Sequence, residues 1–297
     1  MCTNDIYYLC AKSWWELLKL RVKCFNLKYT LECGQCFRWK KVNGESNRYI
    51  GVINDRVIDI AQEKDVLYVY SNNEDNLEEV VREYFDLDKD YEQIEEKISK
   101  IDNNIYTSVK NTTGLRILNQ ELFETIISYI ISANNNIKRI SKSVDEISRM
   151  FGKEIEYEGE KYYLFPSVSE LKNVTVEKLL SAGVGFRAKY IKETVKIISE
   201  DEKFLDKLKT DTKQVAKEKL LRFPGVGPKV SDCILLFSLK KSEVFPIDVW
   251  VKRVMEKLYF KQNVSMKQIA RYAEDNFKED AGIVQQHLFY NVREGNI

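Results

Sequence analysis

The sequence predicts an α+β chain in which a small antiparallel sheet precedes a larger, all-helical region. Two observations carry this expectation. Up to about residue 72 the apolar residues come in short β-branched and aromatic runs separated by turn signals. From about residue 118 they recur at steps of three and four. A length of 297 residues admits one large domain or two ordinary ones; the change of period divides the chain into 1–110 and 111–297. With 44% hydrophobic and 12% aromatic residues there is enough apolar material for a sizeable core.

The elements follow in order. Gln35–Trp39, Tyr49–Ile53, Val57–Ile60 and Val66–Tyr70 read as strands, with turns at Asn43-Gly44 and Asn54-Asp55. Two charged helices are predicted near 74–86 and 89–101, and an apolar one over 121–131. Ile137, Ile140, Val144 and Ile147 mark the next helix, which Gly152 closes. Residues 153–165, rich in Tyr and Glu, read as a loop or short hairpin. Ala188, Ile191, Val195 and Ile198 mark a further helix, as do Val230, Cys233, Ile234 and Phe237, with Pro228 in the first turn. Ser265-Met266-Lys267-Gln268 fits a capping box.

The net charge of +1 is unevenly spread. Residues 74–96 carry eleven acids and two bases, which leaves the remainder of the chain at +10, basic enough to hold a phosphate backbone locally. The acidic stretch reads as a solvated helix face. Five of the six cysteines (Cys2, Cys10, Cys24, Cys33, Cys36, Cys233) fall in the first 36 residues, and free thiols are expected. Cys33-x-x-Cys36 has no second cysteine pair, and His287 is the single histidine, so neither a zinc site nor a four-cysteine iron–sulfur cluster is expected. No apolar run is long enough for a membrane helix, and Met1–Cys10 lacks a signal-peptide pattern, so a cytoplasmic location follows as an expectation, on the nucleoid if the source is prokaryotic.

The most informative segment is Leu220–Val230, in which Phe223-Pro224-Gly225-Val226-Gly227-Pro228-Lys229 joins two helices. Glycines allow a tight turn and a close approach to a ligand. Free N–H groups at a helix start favour an anion, here a DNA phosphate. A lone Gly-x-Gly would leave an ordinary helix corner as the better reading. This segment, however, resembles the helix-hairpin-helix of the DNA base-excision glycosylases. By that resemblance Lys229 stands where the lyase members carry their nucleophilic lysine. Asp248, nineteen residues on in Val244–Trp250, stands where the superfamily carries its aspartate. A lysine amine with an ordinary pKa of ~10.4 is protonated at neutral pH, so burial or a neighbouring cation must free it to attack. An aspartate would stabilise positive charge on the sugar as the base leaves. Asp248 also fits a helix N-cap, and the two roles are compatible.

Further segments resemble the 8-oxoguanine DNA glycosylase/lyase family in particular. Gly34-Gln35-Cys36-Phe37-Arg38-Trp39 matches a run whose glycine carbonyl accepts N7–H of the oxidised base, a hydrogen that guanine lacks. Asn134-Asn135-Asn136-Ile137-Lys138-Arg139 matches a run in which Asn134 would fill the gap left by the flipped base and Arg139 would read the orphaned cytosine. In Gly183–Tyr190, Phe186 takes the place of an aromatic wedge, commonly Tyr, and Arg187 that of a second cytosine-reading arginine. Gln285 matches a glutamine that bonds the Watson–Crick edge of the base; Phe289 and Cys233 match the residues that sandwich its faces. Gly225 and Gly227 would hold the DNA backbone. Trp250 departs from the histidine common in animal members and is given no catalytic role. His287 reads as a packed or surface histidine.

The resemblance implies an enzyme that acts on double-stranded DNA containing 8-oxoguanine, preferably opposite cytosine; no cofactor, metal or membrane role is expected, and a monomer is expected because a single lesion needs no symmetric site. Two rivals remain. An endonuclease III-like enzyme for oxidised pyrimidines would share the lysine and aspartate but usually carries a cluster for which the cysteines are missing. A non-catalytic DNA-binding protein would use the hairpin alone.

Overall fold

The computed structural model describes residues 18–45 and 47–295; the expectations for Met1–Cys10, including the thiols Cys2 and Cys10, lie outside them. The first part is a five-stranded antiparallel sheet in the order β1-β5-β4-β3-β2, built from β1 (Leu18–Arg21), β2 (Lys40–Lys41), β3 (Arg48–Ile53), β4 (Arg56–Glu63) and β5 (Val66–Ser71). The β3–β4 hairpin turns at Asn54, whose φ of 51° is one that Asn tolerates. A short helix, α1 (Leu27–Glu32), capped by the Asn26 side chain, was not predicted.

Residues 35–39 do not form the expected strand. The Gln35 side chain is fully buried and its amide is committed to backbone: Nε2 donates to the carbonyls of Thr30 and Arg116 at 2.8 Å each, and Oε1 accepts from Leu118 N at 2.9 Å. Those bonds fix the path of the loop, and the alternating pattern that suggests a strand serves it instead.

The acidic stretch forms α2 (Leu77–Tyr84) and α3 (Tyr91–Ser99). An unpredicted α4 (Asn103–Asn111) follows, its first N–H groups capped by Asp102. Then come α5 (Leu122–Ser132), α6 (Ile137–Phe151) and the hairpin of β6 (Glu154–Tyr157) and β7 (Glu160–Tyr163). Next are α7 (Val168–Lys172), α8 (Val176–Ser181), α9 (Arg187–Ser199), α10 (Phe204–Thr210) and α11 (Lys213–Leu220). After them stand α12 (Pro228–Ser238), α13 (Val249–Met255), α14 (Met266–Asn276) and α15 (Ala281–Arg293). The capping box at Ser265 and the proline at the first turn of α12 are both present. No helix among the described residues is long and apolar enough to cross a membrane.

Two large apolar cores result, with two small clusters beside them. The sheet packs with α1 and α2 around Leu27, Ile58, Ile60, Leu67 and Phe85. The second core gathers Tyr91, Ile98, Ile105 and Val109 from α3 and α4 with the later helices. The seam between the two is not a single cut in the chain: the apolar faces of α3 and α4 turn toward the helical side, Leu118 returns to the sheet core and Phe37 joins the helical one. Arg116 crosses this seam. Its guanidinium donates to the carbonyls of Lys23, Cys24, Asp86 and Lys89 and lies 4.4 Å from the Tyr91 ring centroid.

Candidate active site

The hairpin between α11 and α12 carries the site. Gly225 has φ 81°, which favours glycine, and a Cβ there would sit 2.6 Å from Tyr190 Cδ2. Gly227 is different: its φ is −97° and the space around it is open, so the chain does not demand glycine and the clearance faces outward. Gly227 is the N-cap of α12, so the first N–H groups of that helix have no partner within it.

Lys229 stands in the first turn of α12, half-buried, with Nζ 5.3 Å from the centroid of the Tyr129 ring. Cys233, one turn on, shares its face and is buried. Burial pushes the Cys233 thiol up to about 11, against the Lys229 charge beside it, which lowers it; Asp248 also acts on this thiol, raising it. Lys229 and Asp248 thus both lie near enough to Cys233 to act on its thiol, with opposite signs. Asp248 is held as a cap: its Oδ1 accepts from Val251 N at 2.8 Å at the start of α13, behind the buried Val244–Ile247 segment.

Tyr129 was not singled out from the sequence, and it joins two parts of the site. Its ring lies under Lys229, stacks on Phe237 at 5.7 Å, and its hydroxyl donates to the carbonyl of Gln35 at 3.2 Å. The loop of Gly34 is thereby tied to the helix floor beneath the lysine. Gly34 has φ 93° and faces Ile137 and Arg293. Nothing in the apolar run 121–131 distinguishes the residue that does this.

Gln285 is buried and Phe289 half-buried on α15, across a narrow gap from Phe245, Val251, Val254 and Met255. The gap has no room for a purine in this conformation. Gln285 Oε1 accepts from Gln286 Nε2 at 2.7 Å. A shallow concavity of about 870 Å³ beside Glu78, Glu79, Arg82 and Asp88 shares no residue with the site.

The remaining residues form a second group. Asn134 is exposed with φ 51°, and Arg139 is exposed in the first turn of α6. Phe186 is 57% exposed, so it is no core aromatic. Arg187, expected to be free for a base, is 7% exposed and bonded to backbone carbonyls. Burial lowers its pKa, and the Arg139 charge lowers it further. Trp250 is 63% exposed with the Arg253 guanidinium 5.1 Å from its ring. His287, by contrast, is fully buried and no surface residue.

A hairpin that offers free N–H groups, with a lysine in the first turn after it and an aspartate capping the next helix, defines the class. Residues 127–279 match the model of the HhH-GPD superfamily of base excision DNA repair proteins. Residues 17–126 match the N-terminal domain of 8-oxoguanine DNA glycosylase, and the chain belongs to the 8-oxoguanine DNA glycosylase family. It is 31% identical to a probable N-glycosylase/DNA lyase of Methanothermobacter thermautotrophicus over 94% of this chain and 97% of that one. It is 32% identical to the Arabidopsis thaliana N-glycosylase/DNA lyase OGG1 over 81% of this chain and 68% of the relative. The fold matches the Clostridium acetobutylicum 8-oxoguanine glycosylase/lyase, solved with double-stranded DNA containing cytosine opposite 8-oxoG. That match has a TM-score of 0.88 at 39% identity and covers 94% of this chain and 99% of that one.

Proposed function

We propose that this protein is a bifunctional DNA glycosylase and AP lyase that excises 8-oxoguanine from double-stranded DNA, preferably opposite cytosine. The observation that carries the reading is Lys229 in the first turn after the Gly225 hairpin, with its Nζ 5.3 Å from the Tyr129 ring whose hydroxyl bonds the Gln35 carbonyl beside Gly34. The hairpin N–H groups grip a phosphate. Phe186 opens the base step and Asn134 fills the vacated space. Gly34 accepts the N7–H of the oxidised base, and Cys233, Phe289 and Gln285 take its faces and edge once the gap beside Gln285 opens. Arg139, exposed next to Asn134, reads the orphaned cytosine, with Arg187 beside it.

In the chemical step the Lys229 amine, its ammonium proton given up to solvent, bonds to C1′ while the C1′–N9 bond breaks. The electron pair leaves with the base, which takes up a proton, and Asp248 stabilises positive charge on the sugar. Loss of the amine proton and opening of the ring give the Schiff base. Removal of a C2′ proton then expels the 3′ phosphate, and water releases the lysine.

Borohydride trapping on a duplex with one 8-oxoguanine opposite cytosine tests this. A covalent adduct is expected with wild type and none with Lys229→Gln. An adduct formed only with an oxidised pyrimidine would replace this reading with an endonuclease III-like one. No adduct with either would leave a monofunctional glycosylase or a DNA-binding protein, and for the latter Lys229→Gln merely makes the salt dependence of binding shallower by about one.

A further inference from the structure

A continuous stack of side chains runs from the hairpin to the Asn134 loop. The Tyr190 ring lies so close to Gly225 that no Cβ fits between them. Phe186 packs edge-on to Tyr190, with centroids 5.8 Å apart at 81°. The Arg187 guanidinium covers Phe186 at 4.4 Å. Arg187 Nε donates to the carbonyl of Ala133 at 2.9 Å; Nη2 donates to Ala133 and, at 3.0 Å, to Asn134; Nη1 donates to Val184 at 3.2 Å. A guanidinium has five N–H groups, and these bonds leave one of them for a base. The exposed wedge and the exposed Asn134 are therefore tied to one charged group.

We propose that Tyr190 and Arg187 are positioning residues that lock the Phe186 wedge and the Asn134 loop to the Gly225 hairpin, so that seating the hairpin on a phosphate fixes where both enter the duplex. The DNA side of this inference rests on the function proposed above. An exposed Phe and a left-handed Asn would otherwise have to be ordered on binding, at an entropic cost that the stack meets beforehand. Lysine cannot replace Arg187 in this role, because its ammonium lacks the planar fork that spans three carbonyls.

Two measurements test the tie. In the free protein, Arg187→Lys should speed hydrogen exchange at the amides of Asn135 and Asn136 by roughly tenfold; these N–H groups bond to Ser132 O and Asn135 Oδ1 in the wild type. On DNA, Tyr190→Leu should slow single-turnover excision of 8-oxoguanine by roughly 10- to 100-fold. Nicking of a preformed abasic site, which has no base to extrude, should fall far less, and Tyr190→Phe should restore excision. Unchanged exchange in Arg187→Lys, with the loss confined to preference for cytosine, would make Arg187 a reader only and overturn the tie. Wild-type excision by Tyr190→Leu would overturn it equally. A wild type inactive on 8-oxoguanine would defeat the proposed function alone, since exchange in the free protein still decides the tie.

Discussion

At the scale of single residues, Asp248 shows how one carboxylate can be both scaffold and charge. Its Oδ1 caps α13, and asparagine caps about as well. Asp248→Asn should therefore melt within a degree or two of wild type while excision falls by roughly 10²- to 10³-fold. Asp248→Ala should lose the same activity and about 1 kcal/mol of stability besides. An Asp248→Asn enzyme at the wild-type rate would show that the cap, and not the charge, is what the site needs. Lys229 and Asp248 could be singled out because the hairpin run and the Val244–Trp250 run resemble those of the base-excision glycosylases, and the glycines that mark the hairpin are local in sequence. Arg187 was legible only as an arginine on motif. Its commitment to the carbonyls of Ala133 and Asn134 comes from a loop more than fifty residues away, and no local pattern announces it.

At the scale of elements, the hairpin glycines make opposite predictions. Gly225→Ala meets both a left-handed backbone and the Tyr190 ring, so it should destabilise the fold by roughly 1–3 kcal/mol and weaken DNA binding. Gly227→Ala meets neither and should melt like wild type, with any loss confined to DNA affinity. Thermal unfolding and a titration with undamaged duplex separate the two; equal melting losses would refute the distinction. The strands β3, β4 and β5 were readable because their apolar runs end at turn residues. The loop at 35–39 was not, because its pattern is that of a strand and its cause is the Gln35 amide, bonded to residues some eighty positions away. Helix α4 was missed because its sequence is largely polar and its amphipathic face is short, with only Ile105, Ser108 and Val109 turned inward.

At the scale of the whole molecule, a buried polar cluster between α3, α4 and α15 sets a pH response. The Thr112 hydroxyl donates to Ser108 O at 2.7 Å, so its 2.6 Å contact with His287 Nδ1 uses the ring N–H. Nε2 is left as a bare acceptor, 3.8 Å from Glu95 Oε1. Desolvation lowers the His287 pKa to about 3. As pH falls through 6.5 the unfolded chain takes up a proton that the folded chain refuses until about pH 3, so stability declines across that window. Burial raises the Glu95 pKa, which acts with the opposite sign and offsets part of the decline. His287→Leu should lose some stability at pH 7.5, where the Thr112 contact is given up, and recover about 2 kcal/mol relative to wild type on going to pH 5. A difference in melting temperature that does not change with pH would exclude His287 as the cause.

The bond from the Tyr129 hydroxyl to Gln35 has a consequence for how the enzyme comes into being. Tyr129 lies in the helical core and Gln35 in the loop that leaves the sheet, ninety-four positions earlier. Gly34, the acceptor in the proposed function, is thus synthesised well before Lys229, and the seat beneath Lys229 is complete only when this long-range contact closes. Such contacts are slow to form because chain entropy must be given up before they are made. On the proposed roles, a nascent chain would carry no complete cutting centre until both Lys229 has been made and the Tyr129–Gln35 contact has closed.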